Sequence, residues 1–455
     1  MSAGASGEGA QEAAAEGPAR HVAQSVAVTA SVMGISLVSG IVAARALGVE
    51  GRGQLAAVIM WPSFIACATE LGLPTAFTYL LASRGRSSSA LARGLLPLVA
   101  VQSALQYAVG LPVILAALAA YSSQIRTMAL LFLVVYAPLY LLVRYLAALT
   151  LGEGRIGVFN VARILMACSY TTGLLALFVI GVVGVGAFAA AYLASWLVML
   201  VILLAFSSGA VRSAVIRPRA DLETVRSAWS VGYRAFLGSL APVDSLQLDV
   251  LLTTAVLGPL DAGLYFVATS AGAVVRVWGT TLGALSLPRT AAATSKEAAL
   301  LTMSLYVRVT MAISGVFAVT LFIFAGPLLR LVYGEEYVPA ETLVRILVVG
   351  MLAASLRYVL GDGLRGLGAY ARATHAEMLG WVMGGVALVV LLPRWGVNGV
   401  AVAVSISYVG TLFVMLGFAM RLGARWSRLL VPTVADVTHA GAVFRLPRRR
   451  GGSRA

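Results

Sequence analysis

Charge is what this sequence has least of. Only 11% of its 455 residues are Asp, Glu, Lys or Arg, where a soluble domain carries about a quarter. With 60% hydrophobic residues and a mean hydropathy of +0.93, a soluble globular domain is excluded. Cysteine is nearly absent as well. Cys67 and Cys168 both fall inside apolar runs, which speaks against a disulfide or metal framework and for small packing residues. Histidine is scarce: His375 stands two residues from Glu377, on a different helical face, so the two do not form a metal pair. Lys296 is a lone lysine among arginines. No Gly-rich loop followed by Lys-Ser/Thr occurs, which disfavours an ATP-driven pump. The first 22 residues hold Glu8, Glu12 and Glu16 and no apolar core. They read as a disordered cytoplasmic tail and not as a signal peptide, which makes the first helix an uncleaved anchor.

Long apolar runs are abundant. Each supplies the roughly 20 residues that a helix needs to cross the hydrocarbon layer with its backbone groups satisfied internally. The sequence therefore predicts an all-α polytopic membrane protein. Twelve spans are expected at roughly 23–45, 54–82, 91–119, 127–150, 157–181, 185–207, 232–256, 263–287, 301–326, 340–362, 371–393 and 397–420. Pro62 and Pro74 in the second span imply a kink or an extra short helix there.

Basic residues fix the expected orientation. Arg84, Arg86, Arg93, Arg155, Arg212, Arg217, Arg219, Arg226, Arg289, Lys296, Arg365 and Arg372 fall in loops on one side, together with the tail that ends in "RLPRRRGGSR". The opposite loops hold Arg45, Arg52, Arg126, Arg330 and Arg394. Both termini are thus expected in the cytoplasm, with the basic tail touching anionic lipid. Much of the +15 net charge is a topology signal, and nucleic acid is not an expected partner.

The chain repeats itself. "ALGVEGRGQLAAV" after the first span and "VLGPLDAGLYFVA" after the seventh share Leu-Gly, four residues, then Gly, with Gly48 and Gly258 separated by 258 − 48 = 210 positions. A second echo links "GAFAAAYLASWL" from Gly186 with "GVAVAVSISYVG" from Gly399. The chain divides into a tail (1–22), an N-terminal six-helix unit (23–208), a cytoplasmic linker (209–231), a C-terminal six-helix unit (232–421) and a basic tail (422–455). Six spans per unit leave both the same way up, related by an axis along the membrane normal. The glycines serve tight turns outside the cytoplasmic side.

Ionised side chains inside spans cost about 2.5–3.5 kcal/mol each on insertion scales, so function is sought there. The residues are Glu70, Arg144, Arg163, Asp244, Asp249, Arg276, Arg308, Arg345, Arg357 and Glu377. Arginine outnumbers acid, which suits a cavity that meets an anion. Three- and four-residue steps align Tyr136, Tyr140 and Arg144 on one stripe. They likewise align Ser63, Cys67, Glu70, Pro74 and Thr78, then Ser245, Asp249 and Thr253, and then Tyr265, Thr269, Gly272, Arg276 and Thr280. Arg144 and Arg276 read either as cavity-lining or as structural pairs for an acid or for helix-end carbonyls. Glu70 and Asp249 carry the same two readings. Tyr136 and Tyr140 read as sugar-stacking platforms or as ordinary packing.

The phrases "LDVLLTTAVLGPLDAGLYFVA", "LGVEGRGQLAAV", "ELGLPTAF", "GLRGLGAY" and "GVNGVAVAVSISYV" resemble the oligosaccharide and polysaccharide flippases, the Wzx-like members, of the multidrug/oligosaccharidyl-lipid/polysaccharide exporter superfamily. The resemblance implies two pseudo-symmetric six-helix bundles around a central cationic cavity. It also implies alternating-access transfer of a lipid-linked oligosaccharide, on an undecaprenyl-pyrophosphate-type carrier, across the cytoplasmic membrane. Arg144, Arg276, Arg308, Arg345, Arg357, Tyr136 and Tyr140 would meet the substrate, and Glu70, Asp244 or Asp249 would carry a coupling ion. Neither a cofactor nor a metal is expected, and the protein is not expected to be an enzyme. Membrane lipids are implied partners, as are a polysaccharide polymerase or glycosyltransferases. Peptidoglycan-precursor flippases of the superfamily use a cluster of Arg in their first helices. Helix one here carries only Arg45 at its end, which argues against that substrate. A cation-coupled multidrug exporter shares the fold but should favour acids over Arg in its cavity.

Overall fold

The computed structural model describes residues 5–84, 87–216, 229, 232, 247–425 and 429 of the chain. Among these there is no strand, and nine helical segments are long and apolar enough to cross a membrane. The protein is an all-α polytopic membrane protein. In hydrocarbon a helix satisfies every backbone group within its own segment, so long apolar runs resolve into helices.

The helices run in chain order as α1 (Ala5–Ala68), α2 (Leu73–Arg84), α3 (Ser88–Arg93), α4 (Leu95–Ala117), α5 (Ser123–Gly152), α6 (Ile156–Val179), α7 (Val185–Phe206) and α8 (Gly209–Ile216). After a stretch outside the described residues come α9 (Leu248–Val256), α10 (Pro259–Ala291), α11 (Lys296–Ile323), α12 (Ala325–Val332), a 3₁₀ turn (Glu335–Ala340), α13 (Glu341–Gly366) and α14 (Tyr370–Arg421). The two longest, α1 and α14, each contain one non-helical glycine, Gly48 (φ 68°) and Gly396 (φ 53°). Both lie where the sequence puts a turn between successive spans.

Three details depart from the sequence expectation. Helix α1 is continuous back to Ala5, across the segment read as a tail. The expected second span is broken, but not at Pro62, which stays inside α1. The break is at Leu71 and Gly72, both with positive φ (54° and 67°), and Pro74 then sits in the first turn of α2, where its missing N–H costs nothing. The expected linker 209–231 begins as the helix α8.

The interior is apolar and close-packed. One hydrophobic core joins buried residues from Ala43 to Val211. Two others are built from residues beyond Val250, except that Ala44 and Val49 of α1 are buried in one of them. Small residues let α10 and α13 approach closely: a methyl group at Gly279 would lie 2.3 Å from Ser355 Cα, and the Ser314 and Ser355 hydroxyls both donate to the Val275 carbonyl. Such crossings of small residues and inter-helix hydroxyl bonds replace the hydrophobic drive that lipid cannot supply.

The sequence echo is structural. Gly48 (φ 68°, ψ −179°) and Gly258 (φ 87°, ψ −178°) adopt the same conformation, one that any residue with a Cβ avoids. In each copy the chain leaves a helix end, turns at the glycine, and enters the next helical limb.

Candidate functional site

Two adjoining cavities flank α10. The larger, of about 630 Å³, is lined by α1 from Ala30 to Met60, by Tyr170 of α6 and Tyr192 of α7, and by α10 from Phe266 to Thr281. The smaller, of about 380 Å³, lies between α9, α10, α13 and α14 and holds Asp249, Arg276, Trp381, Ser407 and Tyr408. Phe266, Ser270 and Ala273 line both, so one face of α10 forms a wall common to the two.

Arg52 is the cation of the larger cavity. The turn at Gly48 restarts the helix at Val49, so Arg52 sits in the first turns of the second limb of α1 and not in a loop. Its side chain is 7% exposed, its guanidinium carbon lies 3.8 Å from the centre of the Phe266 ring, and its Nε has no hydrogen-bond partner. No carboxylate among the described residues pairs with it. A buried cation without a counter-ion costs several kcal/mol, which one aromatic contact of about 2 kcal/mol only partly offsets.

Arg276 is the cation of the smaller cavity. It makes no hydrogen bond or ion pair to any described residue. Asp249, in the first turn of α9, lines the same cavity, and its Oδ2 accepts a 2.7 Å bond from the Tyr265 hydroxyl. The indole Nε1 of Trp381 is buried without a partner.

The other arginines expected at the substrate are committed elsewhere. Arg144 donates through Nε (3.0 Å) and Nη2 (2.7 Å) to the two Glu70 oxygens, and the Tyr140 hydroxyl donates to Glu70 Oε2 at 2.6 Å. Glu70, Tyr140 and Arg144 thus form one cluster beside the break before α2, where Gln102 also donates to the Glu70 carbonyl. Arg357 donates to Glu377 at 2.5 Å, with both side chains at least nine-tenths buried. Its guanidinium also lies 4.8 and 5.1 Å from the ring centres of Tyr358 and Tyr408. Arg345 pairs with Glu341 at 2.6 Å and donates to the Phe322 carbonyl, its side chain 44% exposed. Half-buried Arg308 on α11 is not free of partners either. None of these four lines either cavity. Tyr136 is 2% exposed and packs against Phe132, Tyr140 and Trp196. Tyr170 and Tyr192 are the tyrosines that line the larger cavity. Asp244 lies outside the described residues.

The expected spans end near 45 and resume near 54, which counts Arg52 among the loop charges. The Leu47-Gly48 turn itself was the signal that could have found it, since a helix restarting directly after that glycine carries Arg52 one turn into the span.

This is the fold of the transporters of the multidrug/oligosaccharidyl-lipid/polysaccharide (MOP) superfamily. The chain is similar to the inward-facing conformation of a multidrug resistance MATE family transporter of that superfamily, at 18% identity over 87% of this chain and 95% of the other, with a TM-score of 0.70. The outward-facing conformation of such a transporter matches at 16% identity over 89% and 94% of the two chains, with a TM-score of 0.58. The lipid II flippase MurJ in an inward closed conformation matches at 13% identity over 91% and 89%, also with a TM-score of 0.58. No protein-family model matches the sequence, and no curated protein matches it.

Proposed function

We propose that this protein is a MOP-superfamily flippase of the polysaccharide-exporting type. Its cargo is an oligosaccharide on an undecaprenyl-pyrophosphate-type lipid, moved across the cytoplasmic membrane by alternating access for cell-surface polysaccharide biosynthesis. The observation that carries this reading is the pair of arginines, Arg52 and Arg276, which line two adjoining cavities and form no ion pair with any described residue. A guanidinium drawn out of water and not ion-paired, as Arg52 is and half-buried Arg276 is in part, gains most from a ligand that brings its own anion. The aromatic lining of the larger cavity, Tyr170, Tyr192, Phe266 and Trp278, suits sugar rings and a prenyl chain. In this reading twelve spans form two six-helix units, 23–208 and 232–421, with both termini in the cytoplasm. The protein acts as a transporter and not as an enzyme, and a polymerase or glycosyltransferase works beside it. Neighbouring MATE transporters and the MurJ flippase support the class.

The Arg276 series tests the reading. Arg276→Ala is expected to slow transfer of a pyrophosphate-linked sugar lipid by about tenfold or more, and Arg276→Lys by less, since the ammonium keeps the charge but loses the planar fork. Equal rates in all three forms place Arg276 outside the pathway.

A second reading, a MATE-like cation-coupled multidrug exporter, is favoured by Asp249, an acid at the cavity wall. Among the proposed ion carriers Glu70 is held by Arg144 and Tyr140, which leaves Asp249 better placed to exchange an ion with the lumen. Asp249→Asn is expected to remove the dependence of transport on an imposed pH gradient while the protein stays folded. Unchanged gradient dependence removes Asp249 as the carrier.

A further inference from the structure

The two copies of the Leu-Gly echo meet each other. A methyl group at Gly53 would lie 1.8 Å from the Pro259 carbonyl oxygen, and one at Gly263 would lie 2.0 Å from the Val49 carbonyl oxygen. Under the offset of 210 residues Val49 corresponds to Pro259 and Gly53 to Gly263, so the two contacts exchange with one another. The second limb of α1 therefore crosses the start of α10 backbone against backbone, on a local two-fold axis. These limbs belong to the two proposed units.

Four further hydrogen bonds, from three side chains, join the same two limbs and their neighbours. The Trp61 Nε1 donates to Thr254 Oγ1 at 3.0 Å. The Tyr337 hydroxyl donates to the Ala44 carbonyl at 3.0 Å, and Arg45 donates to the carbonyls of Leu331 and Val332 at the end of α12. Burial agrees with this bonding, since Ala44 and Val49 belong to a core whose other buried members run from Val250 onward. The arrangement is lopsided: the position equivalent to Arg45 in the second copy is Ala255, which has no group to reach a helix end.

We propose that the reciprocal glycine crossing, Gly53 on Pro259 and Gly263 on Val49, is the gate that closes this end of the cavity. The Arg45, Tyr337 and Trp61 bonds act as its latch, and the outer end of α1 travels with the C-terminal unit while they hold. The inference rests on the alternating-access reading above but not on the identity of the cargo. The higher similarity to an inward-facing relative than to an outward-facing one (TM-scores 0.70 and 0.58) fits a molecule closed here. Opening this end must break both carbonyl–glycine contacts, which no larger residue could make, so the glycines set the balance between closed and open forms. A methyl group at either glycine has no room in the closed form and meets no such wall once the limbs separate.

The test reads conformation directly. Spin labels are placed at Glu50→Cys and Leu260→Cys, both exposed positions, in full-length protein in lipid nanodiscs with Cys67→Ala and Cys168→Ser, and their separation is measured by double electron–electron resonance. The parent is expected to show a dominant short distance. Gly53→Ala or Gly263→Ala should raise the long-distance population by about tenfold or more relative to the short one. Arg45→Gln with Tyr337→Phe should shift it the same way by less, and provides the readout if a glycine variant does not accumulate. An unchanged distance distribution in every folded variant overturns the gate. Shifted distances in a protein that moves no lipid-linked sugar would uphold the gate and overturn the flippase reading, whereas unchanged distances with intact sugar-lipid transfer would do the reverse.

Discussion

Arg52→Gln is expected to reduce transfer of a pyrophosphate-linked sugar lipid by at least about 30-fold, the equivalent of about 2 kcal/mol of lost interaction with a buried charge. The protein should fold as well as before, or better. In the parent the guanidinium is buried with an unpartnered Nε and no carboxylate partner among the described residues, so a neutral amide removes a desolvation cost without stranding an opposite charge. Arg52→Lys should fall between the two, because an ammonium keeps the charge but loses both the fork and the stacking on Phe266. Initial transfer rates, with thermal unfolding alongside, check this. A lowered unfolding temperature with transfer within about threefold of the parent would make Arg52 a structural residue.

The opposite pattern is expected at the Arg357–Glu377 pair. Glu377→Ala takes the carboxylate away from a buried guanidinium and should cost about 3–5 kcal/mol of stability, whereas Arg357→Met with Glu377→Leu, which removes both charges, should recover most of it. Transfer should survive in the double variant, because Arg357 lies outside both cavities. Unfolding temperatures and transfer rates of the two variants separate the roles. Loss of transfer in a stable double variant would return Arg357 to the substrate path.

These two arginines show how far the residues alone could be read. Apolar run length and the Leu-Gly echo carry most of the architecture, because lipid leaves helix as the one open solution and a positive-φ turn favours glycine at Gly48 and Gly258. Gly53 and Gly263 were legible as a repeat, yet their reason is not a turn. It is a close crossing between limbs about half a chain apart, which periodicity does not encode. The same holds for partners. Glu70 and Arg144 lie on different helices, as do Arg357 and Glu377, and nothing in either stripe says which arginine is already neutralised. Arg52 was hidden by the opposite effect: a Gly-rich first turn looks like loop until the backbone at Gly48 is seen to restart the helix.

The flippase reading requires the cavities on either side of α10 to accept an anionic lipid-linked sugar. Its most direct test is translocation in proteoliposomes of an undecaprenyl-pyrophosphate-linked oligosaccharide, followed by accessibility to an outside glycosidase, with a cationic dye as the competing cargo. Movement of the sugar lipid, lost in Arg52→Gln, is the predicted result. Movement of the dye alone, unaffected by Arg52→Gln, would contradict it and favour the cation-coupled exporter.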